Sequence, residues 1–134
     1  MTTTVATDTQ IVFANGLVGQ PDWKNFVLLT PEDGPVHLLQ STEYAELSLM
    51  VTDPFQIVPD YSITISDDDF AALGLRPDEQ PRLLCTLSVY QAQITTNLLG
   101  PLVINTRTGY AKQVVVVDSP YSTRHPVASL AQDA

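Results

Sequence analysis

The residues of this chain that could carry out covalent chemistry are one cysteine and two histidines. Cys85 is flanked by leucines and a threonine in residues 83–87, a setting typical of a strand interior, where a thiol acts as a small hydrophobic side chain. His37 lies within an apolar run that predicts a strand, and His125 stands between an arginine and a proline. A cysteine–histidine pair with a nearby carboxylate would form a nucleophilic site. However, no cation lies beside Cys85 in the sequence to activate its thiol, so the pattern predicts an inert cysteine and no enzyme.

Metal and cofactor motifs are also missing from the sequence. The cysteine and the histidines do not have the spacing of zinc ligands. Asp67, Asp68 and Asp69 could be imagined as a metal site, but carboxylates in the first turn of a helix are already explained by the helix dipole. Residues 15–19 contain two glycines without the spacing or the following long helix of a phosphate-binding loop. We therefore predict no metal and no cofactor.

Two polar, proline-containing segments could instead contact other proteins. In residues 53–61, two prolines stiffen a loop that carries Phe55 and Tyr61; the alternative is a rigid connection with both aromatic rings in the core. In residues 95–101, Asn97 and a Gly-Pro pair would shape a turn, and the two leucines between them could plug the end of a barrel. Composition alone favours a structural role for both segments.

A third segment, residues 118–126, combines a tyrosine with an arginine, which are residue types enriched at interface hot spots. Because a polar segment near the C-terminus has little packing reason for this composition, we favour partner binding here. Across the three segments the candidate protein-binding residues are Phe55, Pro59, Asp60, Tyr61, Asn97, Leu98, Leu99, Tyr121, Ser122, Thr123, Arg124 and His125.

Charge and length limit the classes of partner. The 134 residues are expected to form one domain over 1–134, with flexible ends at 1–10 and 127–134. The formal net charge is -9 and the six basic residues are scattered, so no surface has the cationic footprint that nucleic-acid phosphates require. We therefore expect no direct nucleic-acid binding. The acidity either suits a basic protein partner or serves only solubility.

Targeting signals are not found in the sequence. The first ten residues lack Lys and Arg and have no apolar run like that of a signal peptide. No stretch reaches the roughly 18 apolar residues that span a bilayer. The single cysteine cannot form an intramolecular disulfide, which fits a reducing compartment. We expect a cytoplasmic protein without membrane contact.

The elements that must position the three segments are short strands. Apolar runs separated by turn residues about every ten residues predict an all-β, mainly antiparallel meander, sandwich or barrel. The predicted strands cover residues 11–13, 26–29, 36–41, 46–51, 61–65, 83–90, 102–105 and 112–117. Residues 30–35 and 106–110 carry the signals of hairpin turns, the second with Gly109 at positive φ.

Two of these strands have informative patterns. Apolar side chains occupy alternate positions in residues 61–65, which predicts one buried and one solvated face. Residues 114–117 are all valine, which predicts a central strand covered on both sides or one lining a small closed barrel. One short helix is predicted from Asp67 to Leu73, capped by Ser66, with Asp69 completing a capping box and Gly74 as the C-terminal exit.

The same three segments resemble a known family. Residues 53–55, 59–61, 97–105 and 121–126 resemble, in order, the signature of the FliW family of bacterial flagellar assembly factors, and the similarity extends over residues 11–126. The chain departs from the family pattern in residues 16–20, where the family tends to have a Gly-x-Pro-Gly turn followed by an aromatic. Gly100 replaces a common alanine, and Leu49 replaces a frequent phenylalanine.

This resemblance implies a compact, antiparallel, barrel-like β fold and a cytoplasmic location. We also expect the protein to be monomeric when free. It also implies two protein partners: flagellin before its export, and the RNA-binding translational regulator CsrA. The expected role is to bind and antagonise CsrA, so that repression of flagellin translation is relieved. The competing interpretation is a small β-barrel ligand-binding protein or enzyme of unknown substrate, which an enclosed polar cavity would favour.

Overall fold

The strands of the computed structural model lie within the residues that it describes, 9–30, 34–116 and 119–127. They are β1 Thr9–Phe13, β2 Asn25–Leu29, β3 Val36–Ser41, β4 Ser48–Thr52, β5 Arg82–Tyr90, β6 Gln93–Thr96, β7 Leu102–Ile104, β8 Tyr110–Gln113 and β9 His125–Pro126. In these ranges the chain also forms one α-helix, α1 Asp67–Ala72, and a 3-10 helix at Pro54–Gln56. The all-β fold with one short helix is confirmed.

Seven of the strands close into a barrel. Their order is β4-β3-β2-β1-β8-β7-β5, and β5 returns to β4 through the pairs Val51↔Thr86 and Thr52↔Cys85. All neighbours are antiparallel except β1 and β8, which run parallel. The expectation of a mainly antiparallel barrel is therefore correct. Closure leaves these strands without the long open edge that would invite aggregation.

The long strand β5 belongs to two layers. Its first half pairs with β7 and β4 in the barrel, and its second half pairs with β6, which in turn pairs with the short strand β9. Neither β6 nor β9 is predicted from the sequence, because their residues are mostly polar and lie in or beside segments with the composition of turns. This small second sheet carries the C-terminal segment to the end of the barrel.

The barrel interior is filled by side chains. Phe13 and Phe26 meet edge to face with ring centroids 5.7 Å apart, a geometry worth about 0.5 to 1.5 kcal/mol beyond the burial of the two rings. The other fully buried members of this core are aliphatic and come from all around the barrel: Ile11, Leu39, Val51, Leu84, Leu102 and Ile104. A core of this kind, filled by side chains from around the barrel, leaves little room for a ligand.

The short helix forms as its capping residues predict. Ser66 Oγ accepts a hydrogen bond from the Asp69 N–H at 3.1 Å, and Gly74 takes a positive φ of 68° just after the helix. The carboxylate of Asp69 instead accepts a hydrogen bond from Lys112 Nζ of β8, and among the described residues it receives no bond from the Ser66 N–H, so the expected capping box is only half formed. Leu73 then packs its buried side chain against β7.

The prediction of a strand at residues 61–65 is wrong, although its alternation is correct. The Tyr61 N–H donates to the Val58 carbonyl, and the Ser62 N–H donates to the Tyr121 hydroxyl at 2.9 Å. Because these main-chain groups bond to a turn and a side chain, the segment joins no strand ladder. Tyr61 is buried, Ile63 and Ile65 are half-buried, and the residues between them are exposed.

The prediction of a core strand at residues 112–117 is also wrong beyond Gln113. The Val114 and Val116 N–H groups still donate to the carbonyls of Pro101 and Leu99, at 3.0 and 2.8 Å. The reciprocal hydrogen bonds, from residues 99–101 back to the carbonyls of residues 114–116, do not form. Proline has no N–H, and the Leu99 and Gly100 N–H groups donate to Asn97 Oδ1. The ladder therefore stops, and Val115 is 52% exposed rather than covered on both sides. Val117 lies outside the described residues.

The remaining turn and boundary predictions agree with the fold. Gly109 has a φ of 84° between β7 and β8, and β2 pairs with β3 across the turn at residues 30–35, of which 31–33 lie outside the described ranges. At the ends that we expected to be flexible, Thr9 and Gln10 belong to β1, and Val127 is buried. The other terminal residues lie outside the described ranges.

The turn between β5 and β6 is strained. Gln91 and Ala92 have φ angles of 51° and 65°, which asparagine and glycine adopt with much less cost. The double substitution Gln91→Asn/Ala92→Gly should therefore raise the free energy of unfolding by about 1 to 2 kcal/mol in urea titrations. Ala45→Gly, in an exposed loop at ordinary φ, is the control and should give no gain. A double variant no more stable than the parent would contradict this explanation.

Candidate functional site

The three predicted segments meet at Tyr61. This residue is 3% exposed, and its hydroxyl donates to the Leu98 carbonyl at 2.7 Å. Its ring lies 4.6 Å from the Tyr121 ring and 6.0 Å from the Phe55 ring, measured between centroids. We call Phe55, Tyr61, Leu98 and Tyr121 the tyrosine cluster. It contains one or two members from each of the three segments, which are far apart in the sequence.

Main-chain hydrogen bonds join the segments around this cluster. The Ser62 N–H donates to the Tyr121 hydroxyl at 2.9 Å, and the Leu98 N–H donates to the Ser122 carbonyl at 3.0 Å. Both bonds connect residues that are separated by more than 20 positions, so they fix the segments relative to one another. The tyrosine cluster therefore acts as one support for all three segments.

Cys85 lies beneath the cluster and packs with Tyr61 and Leu98. Its side chain is fully buried, and burial raises the pKa of the Cys85 thiol to about 12. Burial likewise raises the pKa of Tyr61 well above its ordinary value. Both groups stay protonated at neutral pH. Such a thiol is a poor nucleophile, as its surroundings in the sequence suggested.

The histidines do not complete a catalytic set with Cys85. His37 Nδ1 lies 3.3 Å from Thr30 Oγ1, and desolvation by burial lowers the pKa of His37. His125 belongs to β9 and pairs with Thr96. Within the described part of the chain, neither histidine forms a hydrogen bond with Cys85. Nor do these residues contain a group of three or more His, Cys, Asp and Glu side chains that could hold a metal ion. No helix among them is long and apolar enough to cross a membrane.

The candidate residues divide by exposure. Tyr61 and Leu98 are buried, whereas Phe55 is exposed, so the core position considered for both aromatic rings of the first segment is found for Tyr61 only. Asn97 and Leu99 are half-buried, and Asn97 shapes its own turn by accepting hydrogen bonds from the next N–H groups. Tyr121 and His125 are also half-buried. The residues that remain open to a partner are Phe55, Pro59, Asp60, Ser122, Thr123 and Arg124.

Arg124 borders an exposed surface that is not predicted from the sequence. Its guanidinium carbon lies 3.9 Å from the centroid of the Tyr90 ring at the end of β5, a stacking contact worth about 0.5 to 1 kcal/mol at an exposed site. On the same hairpin, Val89 and Ile94 are directly opposite each other, and both are exposed. Nothing in the residue pattern indicates this exposure, because Val89 continues an apolar strand that is buried at its other end.

Two hollows lie on either side of the exposed Val115. The first, about 530 Å³ in volume, lies between residues 62–66 and 114–116 and ends at residues 119–121; we call it the valine groove. The second, about 290 Å³, is lined by Val18, Asn97, Leu99 and Thr123 among others. Candidate residues from the second and third segments thus border an apolar surface that continues across Val115. This surface has the size of a small-ligand site or of one part of a protein interface.

Two of the basic residues form ion pairs with carboxylates. Lys112 is paired with Asp69 at one end of the valine groove, and Arg107 is paired with Glu79 at 2.9 Å. The hydrogen bond from Arg107 lowers the pKa of the Glu79 carboxyl group. Two of the six basic residues are therefore already neutralised by neighbours within the chain. The excess of 15 acidic over 6 basic residues leaves a negative field at the surface.

Comparisons with known proteins agree with this geometry. The sequence model described as FliW protein matches residues 1–127. The chain is 38% identical over 124 residues to the flagellar assembly factor FliW of Natranaerobius thermophilus, covering 90% of this chain and 82% of that protein. It is 35% identical over 128 residues to the one of Bacillus licheniformis, covering 93% and 90%. A crystal structure of the flagellar assembly factor FliW superposes with a TM-score of 0.82 at 30% identity, covering 93% of this chain and 89% of that one.

Proposed function

Because this chain belongs to the FliW family of flagellar assembly factors, we propose that it works by binding two proteins, flagellin and the translational regulator CsrA. In this role it binds CsrA and antagonises it, which relieves the repression of flagellin translation. We propose that it does so in the cytoplasm, as a monomer when free and without enzymatic activity. Flagellin awaiting export is the second partner.

The observation that supports this proposal best is the tyrosine cluster. The segments that carry the family signature are held together by Tyr61, and their exposed residues surround this buried centre. A rigid support with an exposed aromatic and an exposed arginine is the usual composition of an interface hot spot. Phe55 is 44% exposed and Arg124 is exposed, so each can contact a partner without unfolding the support.

The charge of the chain supports the second half of the mechanism. With a net charge of -9, the protein would place a negative surface beside a basic RNA-binding partner. Like-charge repulsion then disfavours RNA phosphate at that partner, even where the RNA surface itself is not covered. Acidic steering also predicts that association with CsrA slows as the salt concentration rises, while dissociation changes less.

The direct test is a binding experiment with purified, immobilised protein. We expect it to retain both flagellin and CsrA from a cell lysate, and to bind each purified partner in a titration. An acidic protein of similar size and unrelated fold is the control for nonspecific retention of basic proteins. Failure to bind either purified partner would contradict the proposed function.

The exposed arginine offers a sharper prediction. Arg124→Ala should weaken binding of at least one partner by about 1 to 3 kcal/mol if this residue is a hot spot. Arg107→Ala is the matched control, because it also removes one arginine charge but at a residue that is paired with Glu79. It should leave partner affinity nearly unchanged. Equal effects of the two substitutions in calorimetric titrations would show that only net charge matters and that the interface lies elsewhere.

A further inference from the structure

One side of the main chain beside the valine groove lacks hydrogen-bond partners among the described residues. Val114 and Val116 donate their N–H groups to the carbonyls of Pro101 and Leu99. Because successive residues of an extended chain direct their main-chain groups to opposite sides, the N–H and C=O of Val115 point away from Pro101. The valine groove is lined by residues 114–116 but by none of residues 99–101, so it borders the side of Val115 that faces away from Pro101. Among the residues that the structure describes, neither group of Val115 forms a hydrogen bond.

The opposite wall of the groove is extended as well. Residues 62–66 alternate between exposed and half-buried side chains, which is the pattern of a strand, but they join no ladder. Within the described ranges, the N–H groups of Ile63 and Thr64 have no hydrogen-bond acceptor. Ile63 packs against the buried cluster that contains Val114, which holds the two walls in place. Two segments therefore face each other across a hollow, and each has main-chain groups without a hydrogen-bond partner among the described residues.

The side chains in the groove indicate the chemistry of its occupant. Val115 is 52% exposed and offers an apolar contact beside Ile63 and Tyr121. One end of the groove is formed by Ser66 and Asp69, where the acidic first turn of α1 begins. Asp69 is paired with Lys112, but Asp67 and Asp68 are exposed next to it. An occupant with apolar side chains along its middle and a basic side chain at one end would complement these features.

We propose that the valine groove accepts an extended, basic segment of a partner protein as an added strand paired with Val115. In strand addition, main-chain hydrogen bonds supply affinity and alternate side chains supply specificity. The unpaired N–H and C=O of Val115 would form the main-chain hydrogen bonds that supply affinity. The apolar wall and the carboxylates of α1 would supply specificity. The inference rests on the proposed function, to which it adds the mode of binding and the chemistry of the basic partner.

The test uses a defined probe, a short synthetic peptide of alternating valine and threonine with lysine at each end. In amide NMR spectra of the whole protein, the peptide should shift the Val115 N–H downfield and slow its hydrogen exchange by about tenfold or more. A peptide N-methylated on one edge and a peptide with glutamate ends should both bind at least about tenfold more weakly. Absence of binding, or binding that leaves the Val115 amide unchanged, would overturn the inference.

Substitutions at Val115 provide a second, independent measurement. Val115→Pro removes the unpaired N–H, whereas Val115→Ala keeps it, so the proline variant should bind the peptide about tenfold more weakly than the alanine variant. Val89→Ala, on another exposed surface, is the control for loss of an exposed valine. If CsrA binds the parent and the Val115→Pro variant equally, the added strand is wrong and the proposed function stands. If CsrA does not bind the parent, the proposed function fails, and the peptide experiment still shows whether the valine groove accepts an added strand.

Discussion

Replacing Tyr61 with alanine should lower the free energy of unfolding by about 3 to 5 kcal/mol, the range measured when large buried aromatic side chains are truncated. Tyr61 is fully packed, and its ring touches both other aromatic members of the tyrosine cluster. Its loss would leave a cavity and would also remove the hydrogen bond to the Leu98 carbonyl. Urea unfolding followed by the fluorescence of Trp23 measures the effect, and binding of both partners should weaken together.

Tyr61→Phe is the matched variant because it keeps the ring and removes only the hydroxyl. The Leu98 carbonyl would then lose its buried donor, at a cost of about 1 to 3 kcal/mol. Phe55→Ala, at the exposed edge of the same cluster, should cost less stability than Tyr61→Ala and act mainly on partner affinity. If Tyr61→Ala is as stable as the parent, or if it weakens only one partner, the cluster is not the common support of the three segments.

The second large effect concerns the two partners together. We expect flagellin and CsrA to weaken each other's binding, because the segments that we propose as partner contacts share one support at Tyr61. Linkage requires that each partner lowers the affinity of the other by the same factor. Separate but coupled sites typically give about 5-fold to 150-fold, or roughly 1 to 3 kcal/mol, whereas overlapping sites exclude simultaneous binding altogether.

Calorimetric titration of each partner into the free protein and into the complex with the other partner measures this factor in both directions. Equal factors within the coupled range would identify two sites, and complete exclusion would identify one shared surface. Sizing of the mixture by light scattering separates the two cases. A ternary complex with unchanged affinities for both partners would contradict the antagonism and leave two independent binding surfaces.

Much of the fold could be predicted from local sequence signals. The cap at Ser66, the turn at Gly109 and most strands follow from residue types that act on their immediate neighbours in the chain. Predictions failed where a distant residue decides which main-chain groups are paired. Asn97 and Pro101 deprive the segment at residues 114–116 of its return hydrogen bonds, and nothing in the run of valines reveals this.

The candidate site shows the same division between local and distant information. Composition and the family motif identified the three segments, but not their meeting point. The bond from Tyr61 to Leu98 joins residues 37 positions apart, and the bond from Ser62 to Tyr121 joins residues 59 positions apart. Stacking of Arg124 on Tyr90 depends on the pairing of β6 with β9, which the polar sequence of β6 did not indicate. Only the closed barrel brings these residues together.

The central claim is that this protein binds CsrA and antagonises it, and that flagellin reverses the effect. The most direct measurement follows a fluorescent RNA that CsrA represses, by anisotropy, while this protein and then flagellin are added. We predict that the RNA is released as the protein is added and is bound again as flagellin accumulates. RNA that stays fully bound to CsrA in the presence of excess protein would contradict the account.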